Sequence, residues 1–360
     1  MNGLTNLIPE LTQERCTRYR YRYSSCSRCA DQCPHHALTL SDEGVGIEAG
    51  SCTGCALCVA SCPTAVFHAA NLPLAAIAKP KSESLSIACS PSELQADVSV
   101  PCLGAIDVAL LASLGLRGIK VTLRGSKFCE QCANAPRGGQ RLQAVLDAMA
   151  NVDAFNEDSP YSLPVLDDMT EGSGMDRRRA GRRQLFRRWL AIGAEADRSD
   201  TQPAAEIPAA AIRYAAHFIP TRRRLADKVL GQLAEPICEE MSGLTWAVAY
   251  VDVGGHDCTG CEACARVCPT GALKVTEEGD DWKLIASASQ CVGCGVCIEA
   301  CTANAIALHH GWQITETPLL TLHALRRHRC QECGRYFIGI AEDTCPVCSD
   351  DSNSFSAIFG

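Results

Sequence analysis

The chain has 360 residues, which is enough for several domains, and its 47% apolar content excludes a disordered chain. The net charge of −8 provides no general attraction to nucleic acid or to anionic lipid. Cysteine is the unusual component, because the chain contains 25, a number that indicates either disulfides or metal centres.

The first residues carry no basic start followed by an apolar core, so the sequence predicts no secretory signal. The longest apolar run, AIDVALLASLGL, is interrupted by Asp107 and is too short to cross a bilayer. We therefore expect a cytoplasmic protein with reduced thiols, in which closely spaced cysteines bind metal and do not form disulfides.

Residues 10–75 hold two cysteine runs of similar form. The run CTGCALCVASCPTAV provides four thiols, Cys52, Cys55, Cys58 and Cys62. The run CSRCADQCPHHAL provides three, Cys26, Cys29 and Cys33, and Tyr23 stands where a first cysteine is missing. We infer that Cys16 replaces it across an expanded loop; in the alternative, the cluster has three thiolates and Cys16 is idle. The inserted TRYRYRYSS either docks an electron partner or forms a solvated edge strand.

Residues 84–152 are predicted to form a small α/β domain. Three short strands, within SLSIACS, DVSVPC and GIKVTLR, alternate with two helices, within GAIDVALLASLGL and RGGQRLQAVLDAMANV. This alternation implies a parallel sheet, whose ligands gather at the carboxyl ends of the strands. Four cysteines near those ends form a candidate cluster site, Cys89, Cys102, Cys129 and Cys132. In the alternative, Cys89 and Cys102 are small buried side chains of the core.

Residues 153–245 are predicted to be a linker with one or two helices. The run that starts at Arg177 holds seven arginines in twelve residues. We expect a basic helix that docks on an anionic partner, or else a plain solvated helix, and three further arginines extend the same face, Arg222, Arg223 and Arg224. Cys238 has no cysteine nearby and is interpreted as a core residue.

Residues 246–312 hold two complete runs, CTGCEACARVCPTGA and CVGCGVCIEACTANA. A 4Fe–4S cluster needs one thiolate for each iron, and Cys-x-x-Cys-x-x-Cys presents three of them from one tight loop. Glycines between the cysteines, such as Gly260 and Gly293, let backbone N–H groups approach the cluster sulfurs. Zinc is the alternative metal, but its sites usually combine two separated pairs of cysteines.

These runs resemble the bacterial two-cluster (8Fe–8S) ferredoxin family, closely over residues 250–310 and with the departure at Tyr23 in the N-terminal copy. In that family the fourth cysteine of each run binds the other cluster. The resemblance implies four [4Fe–4S] clusters with four exchanged ligand sets. They are Cys258, Cys261, Cys264 with Cys301; Cys291, Cys294, Cys297 with Cys268; Cys16, Cys26, Cys29 with Cys62; and Cys52, Cys55, Cys58 with Cys33.

Two further segments complete the prediction. The stretch from VPCLGAIDVALL to GGQRLQAVL resembles the iron–sulfur (delta) subunit of hydrogenases linked to heterodisulfide reductase, which implies a [2Fe–2S] cluster, with a [4Fe–4S] cluster as the alternative. This chain has a single Cys89 where that family tends to have two adjacent cysteines. Residues 326–352 are typical of a zinc ribbon, whose ligands are Cys330, Cys333, Cys345 and Cys348. In the alternative, these cysteines form two Cys-x-x-Cys turns without metal.

The predicted fold class is α+β: two ferredoxin-like βαβ domains with pseudo-twofold symmetry flank a small parallel-sheet domain, followed by a zinc-ribbon tail. No nucleophile–base pair or dinucleotide loop is evident, so we expect an electron-transfer subunit that is not itself a catalyst. The expected partners are redox proteins of a cytoplasmic oxidoreductase complex, of formate dehydrogenase or hydrogenase type, and not nucleic acid. Two alternatives are a redox sensor or maturation factor that binds nucleic acid or a client enzyme, and an enzyme whose central site handles substrate.

Overall fold

The computed structural model describes residues 7–151, 161–167, 211–232, 248–254, 258–311, 319–339, 343–345 and 347–348. The arginine run that starts at Arg177 and the isolated Cys238 lie outside the described residues. In the part of the chain that is described, no helix is both long and apolar enough to cross a membrane.

The N-terminal unit, residues 7–78, combines short helices with two antiparallel strand pairs. Its elements in chain order are β1 (Glu10–Leu11), α1 (Thr17–Arg20), α2 (Arg28–Asp31), β2 (Leu38–Ser41), β3 (Gly44–Ile47), α3 (Leu57–Ser61), β4 (Phe67–His68) and α4 (Leu74–Ala78). Strand β1 pairs with β4, and β2 forms a hairpin with β3.

The insertion before Cys26 is not a solvated edge strand. Its first residues form helix α1, in which the side chain of Arg20 is completely buried. Tyr21 then makes an isolated antiparallel bridge to Ile212, and the backbone N–H of Arg213 donates to the Arg20 carbonyl at 2.8 Å. The insertion therefore packs against a distant segment of its own chain, and its exposed residues are Tyr23, at 67%, and Ser25.

The central unit, residues 84–151 and 161–167, contains the predicted parallel sheet. Its elements are β5 (Ser84–Cys89), β6 (Val98–Val100), α5 (Val108–Leu116), β7 (Lys120–Arg124), α6 (Arg137–Ala150) and β8 (Val165–Asp167). All neighbouring strands are parallel, in the order β6-β5-β7-β8, which confirms the parallel sheet. Helix α5 is buried along nearly its whole length because its sequence is apolar on every face. Strand β8 was not predicted, since it lies in the segment interpreted as a linker.

Helix α7 (Thr221–Leu230) follows an extended segment, residues 211–220. Its apolar side chains Ala226, Val229 and Leu230 belong to the same core as the central sheet. The prediction that Arg222 and Arg223 extend a basic docking face is wrong, because Arg223 is 1% exposed and Arg222 is half-buried against the N-terminal unit. Only Arg224 of the three points to solvent.

The C-terminal unit, residues 248–254 and 258–311, repeats the plan of the N-terminal unit. Its elements are β9 (Ala249–Val253), α8 (Ala263–Val267), β10 (Leu273–Glu278), β11 (Asp281–Ala286), α9 (Val296–Glu299) and β12 (Ile306–His310). Strand β9 pairs with β12 as β1 pairs with β4, and the β10–β11 hairpin corresponds to β2–β3. The internal repeat seen in the sequence is therefore also a repeat of structure.

The tail, residues 319–339, 343–345 and 347–348, continues the sheet of the C-terminal unit. Strand β13 (Leu320–Arg329) pairs with β11, and β14 (Tyr336–Gly339) pairs with β13, which gives the order β10-β11-β13-β14. The side chain of Leu325 is buried in the same core as Trp282 and Leu284. The tail therefore packs its apolar side chains into the core of the C-terminal unit.

Candidate metal centres

The complete cysteine runs share a left-handed backbone at fixed places. The second residue after the first cysteine has φ between 62° and 70° in all three, and it is always glycine: Gly54, Gly260 and Gly293. The residue after the second cysteine also has a positive φ, although it is Ala56, Glu262 or Gly295. Left-handed residues reverse the chain within one or two positions, so each loop stays compact around its thiols.

The turn after the last cysteine of each run is the same in all four runs. The third residue beyond that cysteine has φ between 49° and 68°: His36, Ala65, Gly271 and Asn304. In three runs the following N–H donates to the cysteine sulfur, at 3.3 Å from Ala37 to Cys33, at 3.4 Å from Val66 to Cys62 and at 3.3 Å from Ala305 to Cys301. The run that lacks a first cysteine thus has the same local geometry as the complete runs.

The outer C-terminal set consists of Cys258, Cys261, Cys264 and Cys301. All four thiols line one cavity of ≈ 370 Å³, which includes space open to solvent, together with Trp282. Burial raises the pKa of Cys264 to about 12, and the three neighbouring thiolates act in the same direction. The structure thus brings Cys301, from the second run, to the three leading thiols of the first run.

The inner C-terminal set consists of Cys268, Cys291, Cys294 and Cys297. Burial raises the pKa of Cys291 to about 11, and the thiolate of Cys268 adds to this effect. Burial also raises the pKa of Cys294 and of Cys297, and both thiols again interact with Cys268. The exchange of fourth cysteines is therefore reciprocal in this unit.

The inner N-terminal set consists of Cys16, Cys26, Cys29 and Cys62. Burial raises the pKa of Cys29 to about 12, and the thiolates of Cys62, Cys26 and Cys16 reinforce the rise in that order. Cys16 is itself buried and interacts with both Cys62 and Cys26. The structure therefore brings Cys16 into the position that the run around Tyr23 leaves without a thiol.

The outer N-terminal set consists of Cys33, Cys52, Cys55 and Cys58. These four thiols line a cavity of ≈ 360 Å³, which again includes space open to solvent. Burial raises the pKa of Cys55 to about 11, and the thiolates of Cys33 and Cys52 add to the rise. The exchange between the two runs has the same form as in the C-terminal unit.

The donor chemistry of these four sets fits iron–sulfur clusters. Four buried thiolates repel one another, so they need a cationic core to remain deprotonated, and soft sulfur favours iron–sulfur clusters over harder metals. Outside the tail, no three metal-ligating atoms of the described residues lie within 4.8 Å of one another. Such spacing suits a core of several irons better than a single ion, which would draw its ligands closer.

The central set, Cys89, Cys102, Cys129 and Cys132, gathers where the strands of the parallel sheet end. Strand β5 ends at Cys89, and burial raises the pKa of Cys102 to about 12, with contributions from the thiolates of Cys55, Cys132 and Cys89. A Cβ on Gly139 would lie 3.1 Å from the Cβ of Cys129, so Cys129 packs against the start of α6. The contribution of Cys55 shows that this set lies beside the outer N-terminal set.

The tail set, Cys330, Cys333, Cys345 and Cys348, is more compact than the others. Its four sulfurs all lie within 4.8 Å of one another, and those of Cys333 and Cys345 are 3.8 Å apart. Backbone N–H groups of Cys333 and Cys345 lower the pKa of Cys330 to about 6, which makes this thiol a ready ligand. The set can hold a metal ion.

Two arginines that were predicted to lie on a docking face instead contact the loops of the thiol sets. Arg222 donates to the carbonyls of Ala60, at 2.7 Å, and of Cys62, which belongs to the inner N-terminal set. Arg223 donates to the carbonyls of Ala288 and Cys291, both at 2.7 Å. These neighbours on α7 therefore hold one loop of each cysteine-rich unit. The sequence does not reveal this role, because several arginines at the start of a helix are equally typical of a helix that is exposed to solvent.

A comparison with protein families matches the 4Fe-4S dicluster domain at residues 24–66 and again at residues 257–305. A comparison with curated proteins returns no match. The two matched segments contain the predicted cysteine runs except for Cys16, and iron–sulfur dicluster domains are associated with electron transfer. The chain therefore carries two ferredoxin-type 4Fe–4S dicluster domains, one in each cysteine-rich unit.

Proposed function

We propose that this protein is a multi-cluster electron-transfer protein that relays electrons to or from an oxidoreductase complex in the cytoplasm. The ferredoxin-type domains would hold four [4Fe–4S] clusters through the four inner and outer thiol sets. When bound, such clusters accept and release single electrons at potentials that the surrounding protein adjusts. The thiolates hold the iron, and the backbone N–H groups that donate to Cys33, Cys62 and Cys301 help to set those potentials.

One observation carries the proposal: the thiol sets succeed one another in a single row. Cys264 of the outer C-terminal set interacts with Cys297 of the inner set. Cys29 of the inner N-terminal set interacts with Cys58 of the outer set, and Cys55 of that outer set interacts with Cys102.

The gap between the two inner sets is closed by direct contacts. The backbone N–H of Ser25 donates to Glu299 at 2.9 Å, and Arg28 donates to the carbonyl of Gly293 at 2.8 Å. From the outer C-terminal set to the central set, each thiol set thus interacts with the next one or lies in loops that contact it. Such an arrangement serves transport between two distant partners better than catalysis at one site.

The central set would hold a further cluster, as its likeness to the hydrogenase-linked delta subunit implies. It lies at one end of the row, where the carboxyl edge of a parallel sheet provides a site for a ligand. The contact between His35 and Asn134, at 3.1 Å, ties the loop after Cys33 to the loop after Cys132. This set is therefore our candidate for the exchange of electrons with a partner of formate dehydrogenase or hydrogenase type.

The tail set would hold structural zinc. A Zn–S bond of about 2.3 Å places tetrahedral sulfurs roughly 3.8 Å apart, and the separation of Cys333 and Cys345 is 3.8 Å. A cubane cluster would need a wider spacing of its thiolates. Zinc in this position would fix the strand β14 and has no redox role.

The proposal is tested on the full chain purified without oxygen. We expect about sixteen iron atoms from the four cubes, further iron from the central set, and reversible uptake of about one electron per cube. Cross-linking in the source cells should capture a catalytic subunit of an oxidoreductase. Irreversible bleaching on reduction, zinc in every thiol set, or capture of nucleic acid alone would contradict the proposal.

A further inference from the structure

Three arginines from outside the C-terminal unit converge on its inner thiol set. Arg20 lies at the end of α1 and Arg28 at the start of α2, both in the N-terminal unit, and Arg223 lies on α7. Each interacts electrostatically with a thiol of the inner C-terminal set. The inner set thus receives positive charge from segments that are remote in the sequence.

Arg20 is the most deeply buried of the three, with no exposed surface. Its Nε donates to the carbonyl of Glu14 at 2.8 Å, and its Nη2 donates to the carbonyl of Ala216. Burial lowers the pKa of Arg20, whereas attraction to the thiolates of Cys268 and Cys294 opposes that effect. Because a guanidinium keeps its proton even when buried, Arg20 brings a full charge to the set.

Arg223 holds the opposite side of the same set. Its side chain is 1% exposed, and it donates to the carbonyl of Cys291 at 2.7 Å. Asp227 is 3.6 Å away but 41% exposed, so water weakens its compensation of the arginine charge.

Two buried nitrogen atoms give independent support. Nη1 of Arg20 and Nη1 of Arg223 are buried and meet no hydrogen-bond acceptor among the described residues. A buried donor without an acceptor costs about 1–3 kcal/mol, so such atoms normally have a partner. The sulfur atoms of a cluster held by the inner C-terminal set are acceptors of the required kind. The residues present therefore fit a cluster at this set.

The outer C-terminal set differs in this respect. Burial raises the pKa of Cys258 and of Cys264, and no arginine or lysine of the described residues is among the main causes of either shift. Arg266, on the intervening helix α8, is 63% exposed and pairs with Glu262 at 3.0 Å. Its charge is therefore both neutralised and screened by solvent.

We propose that Arg20, Arg28 and Arg223 raise the reduction potential of the cluster in the inner C-terminal set above that of the outer set. Reduction adds one negative charge, and a cation in a buried, low-dielectric environment stabilises that charge strongly. The docked N-terminal unit thereby sets the potential of a cluster in the C-terminal unit. The inference rests on the proposed electron-transfer function. In it, these arginines act on the cluster through their positive charge and take no part in holding the iron.

The test is a potentiometric titration of the full chain followed by electron paramagnetic resonance (EPR). Cys268→Ser and Cys301→Ser variants first identify the signals of the inner and outer sets. Arg20→Gln and Arg223→Gln should each reduce the equilibrium constant for reduction of the inner cluster about tenfold, which is about 59 mV for a one-electron couple. The outer cluster should keep its potential, and Arg20→Lys should restore most of the inner potential.

Arg213→Gln is the matched control. Arg213 lies in the same extended segment that joins the units, but it pairs with Glu43 and not with a thiol set. It should leave the inner potential unchanged, although it removes an arginine contact between the N-terminal unit and residues 211–220. An equal shift in Arg213→Gln and Arg20→Gln would overturn the inference, since the shift would then reflect only loosened docking.

Two further measurements test the inference if the arginine variants lose the cluster. If Arg20→Gln and Arg223→Gln lose the cluster, Arg28→Gln at the edge of the interface provides the same comparison. If that variant also fails, the unmodified protein decides, because an inner potential equal to or below the outer one refutes the inference. A chain that takes up no electron reversibly would instead refute the proposed function.

Discussion

At the scale of single residues, the partner of each fourth cysteine decides how the clusters are held. Cys268 ends the run that begins at Cys258, yet its thiolate interacts with the three leading thiols of the other run. The cause is local: residues 263–267 form a short helix that carries Cys268 away from its own loop. The direction in which the chain leaves the loop therefore decides which thiols come together, and closeness in sequence does not.

We predict that Cys268→Ser damages the cluster of the inner C-terminal set, with loss of about four irons or conversion to a three-iron form. Iron analysis and EPR of the anaerobic protein measure this. Cys301→Ser should instead damage the outer set. Damage to the outer cluster alone in Cys268→Ser would rule out the exchanged ligation.

Cys16 offers a second prediction at this scale. Because it is buried and interacts with Cys62 and Cys26, we propose Cys16 as the fourth ligand of the inner N-terminal set. Cys16→Ser should therefore yield a labile or three-iron cluster there, visible as a new EPR signal in the oxidised protein. Thr17→Ser, a nearby buried change that removes no thiol, is the control. An unchanged spectrum in Cys16→Ser would mean that three thiolates suffice.

Local spacing predicted the cysteine repeats, whereas the sequence did not reveal where the arginines lie. The spacing of Cys52 to Cys62 and of Cys258 to Cys268 is local, so the repeats and their turns can be predicted without knowledge of the fold. The position of Arg20 and Arg223 depends on how distant segments dock. Arg20 contacts Ala216, which lies 196 positions away, and no local pattern encodes such a contact.

At the scale of secondary structure, the first turn of helix α6 closes the central set. A Cβ on Gly138 would lie 2.9 Å from the sulfur of Cys102, closer than side chains normally approach. Glycine at this place lets the helix start press against the thiol, with its N–H groups nearby. The alternation of strands and helices in residues 84–150 was predictable from periodicity, but this close approach was not, because it involves a backbone contact between two elements.

We predict that Gly138→Ala displaces Cys102 and reduces the occupancy of the central cluster, with a destabilisation of about 1–3 kcal/mol from overpacking. The iron of the four cubes should remain. Iron content and thermal unfolding of the anaerobic protein measure both effects. Gly50→Ala is the matched control, since its new Cβ would meet nothing within 4 Å. Full central occupancy in Gly138→Ala would show that the thiols do not form a tight site.

The tail is a second element whose role emerges only from the fold. A Cβ on Gly260 would lie 3.0 Å from Ile338 and 3.2 Å from Leu325, so β13 and β14 cover the loop of the outer C-terminal set. The sequence predicted the metal ligands of the tail, but not that β13 joins the sheet of the neighbouring unit. The alternation of apolar and polar residues within a strand does not reveal which other strand it pairs with, so this pairing could not be predicted.

We predict that Cys330→Ser removes about one zinc per chain and leaves the iron of the anaerobic protein unchanged. Loss of zinc should loosen β14, and the outer C-terminal cluster should then decay several-fold faster in air. Metal analysis and the time course of bleaching test this. Thr321→Ser on β13 keeps all four ligands and serves as control. Unaltered zinc in Cys330→Ser would exclude the tail as the zinc site.

At the scale of the whole molecule, the two dicluster domains are joined by segments that belong to neither. Residues 211–220 run between them: Phe218 N–H donates to the Pro269 carbonyl at 2.9 Å, and Arg15 stacks on the Phe218 ring at 3.4 Å. Helix α7 then anchors the pair to the core of the central unit. The order of the thiol sets is therefore a property of the entire chain, and repeats at the two ends of a sequence could not reveal it.

This order leads to a prediction about the magnetism of the fully reduced protein. Because loops of the two inner sets are in contact through Ser25 and Glu299, their clusters should interact and broaden each other's EPR signals. Removing the inner N-terminal cluster with Cys26→Ala and Cys29→Ala should narrow the inner C-terminal signal. Removing the outer N-terminal cluster with Cys52→Ala and Cys55→Ala should leave that signal as it was, since the outer set is one step further along the row. The same narrowing in both double variants would mean that the sets are not arranged in a row, and electron transfer between the two ends of the protein would then need another path.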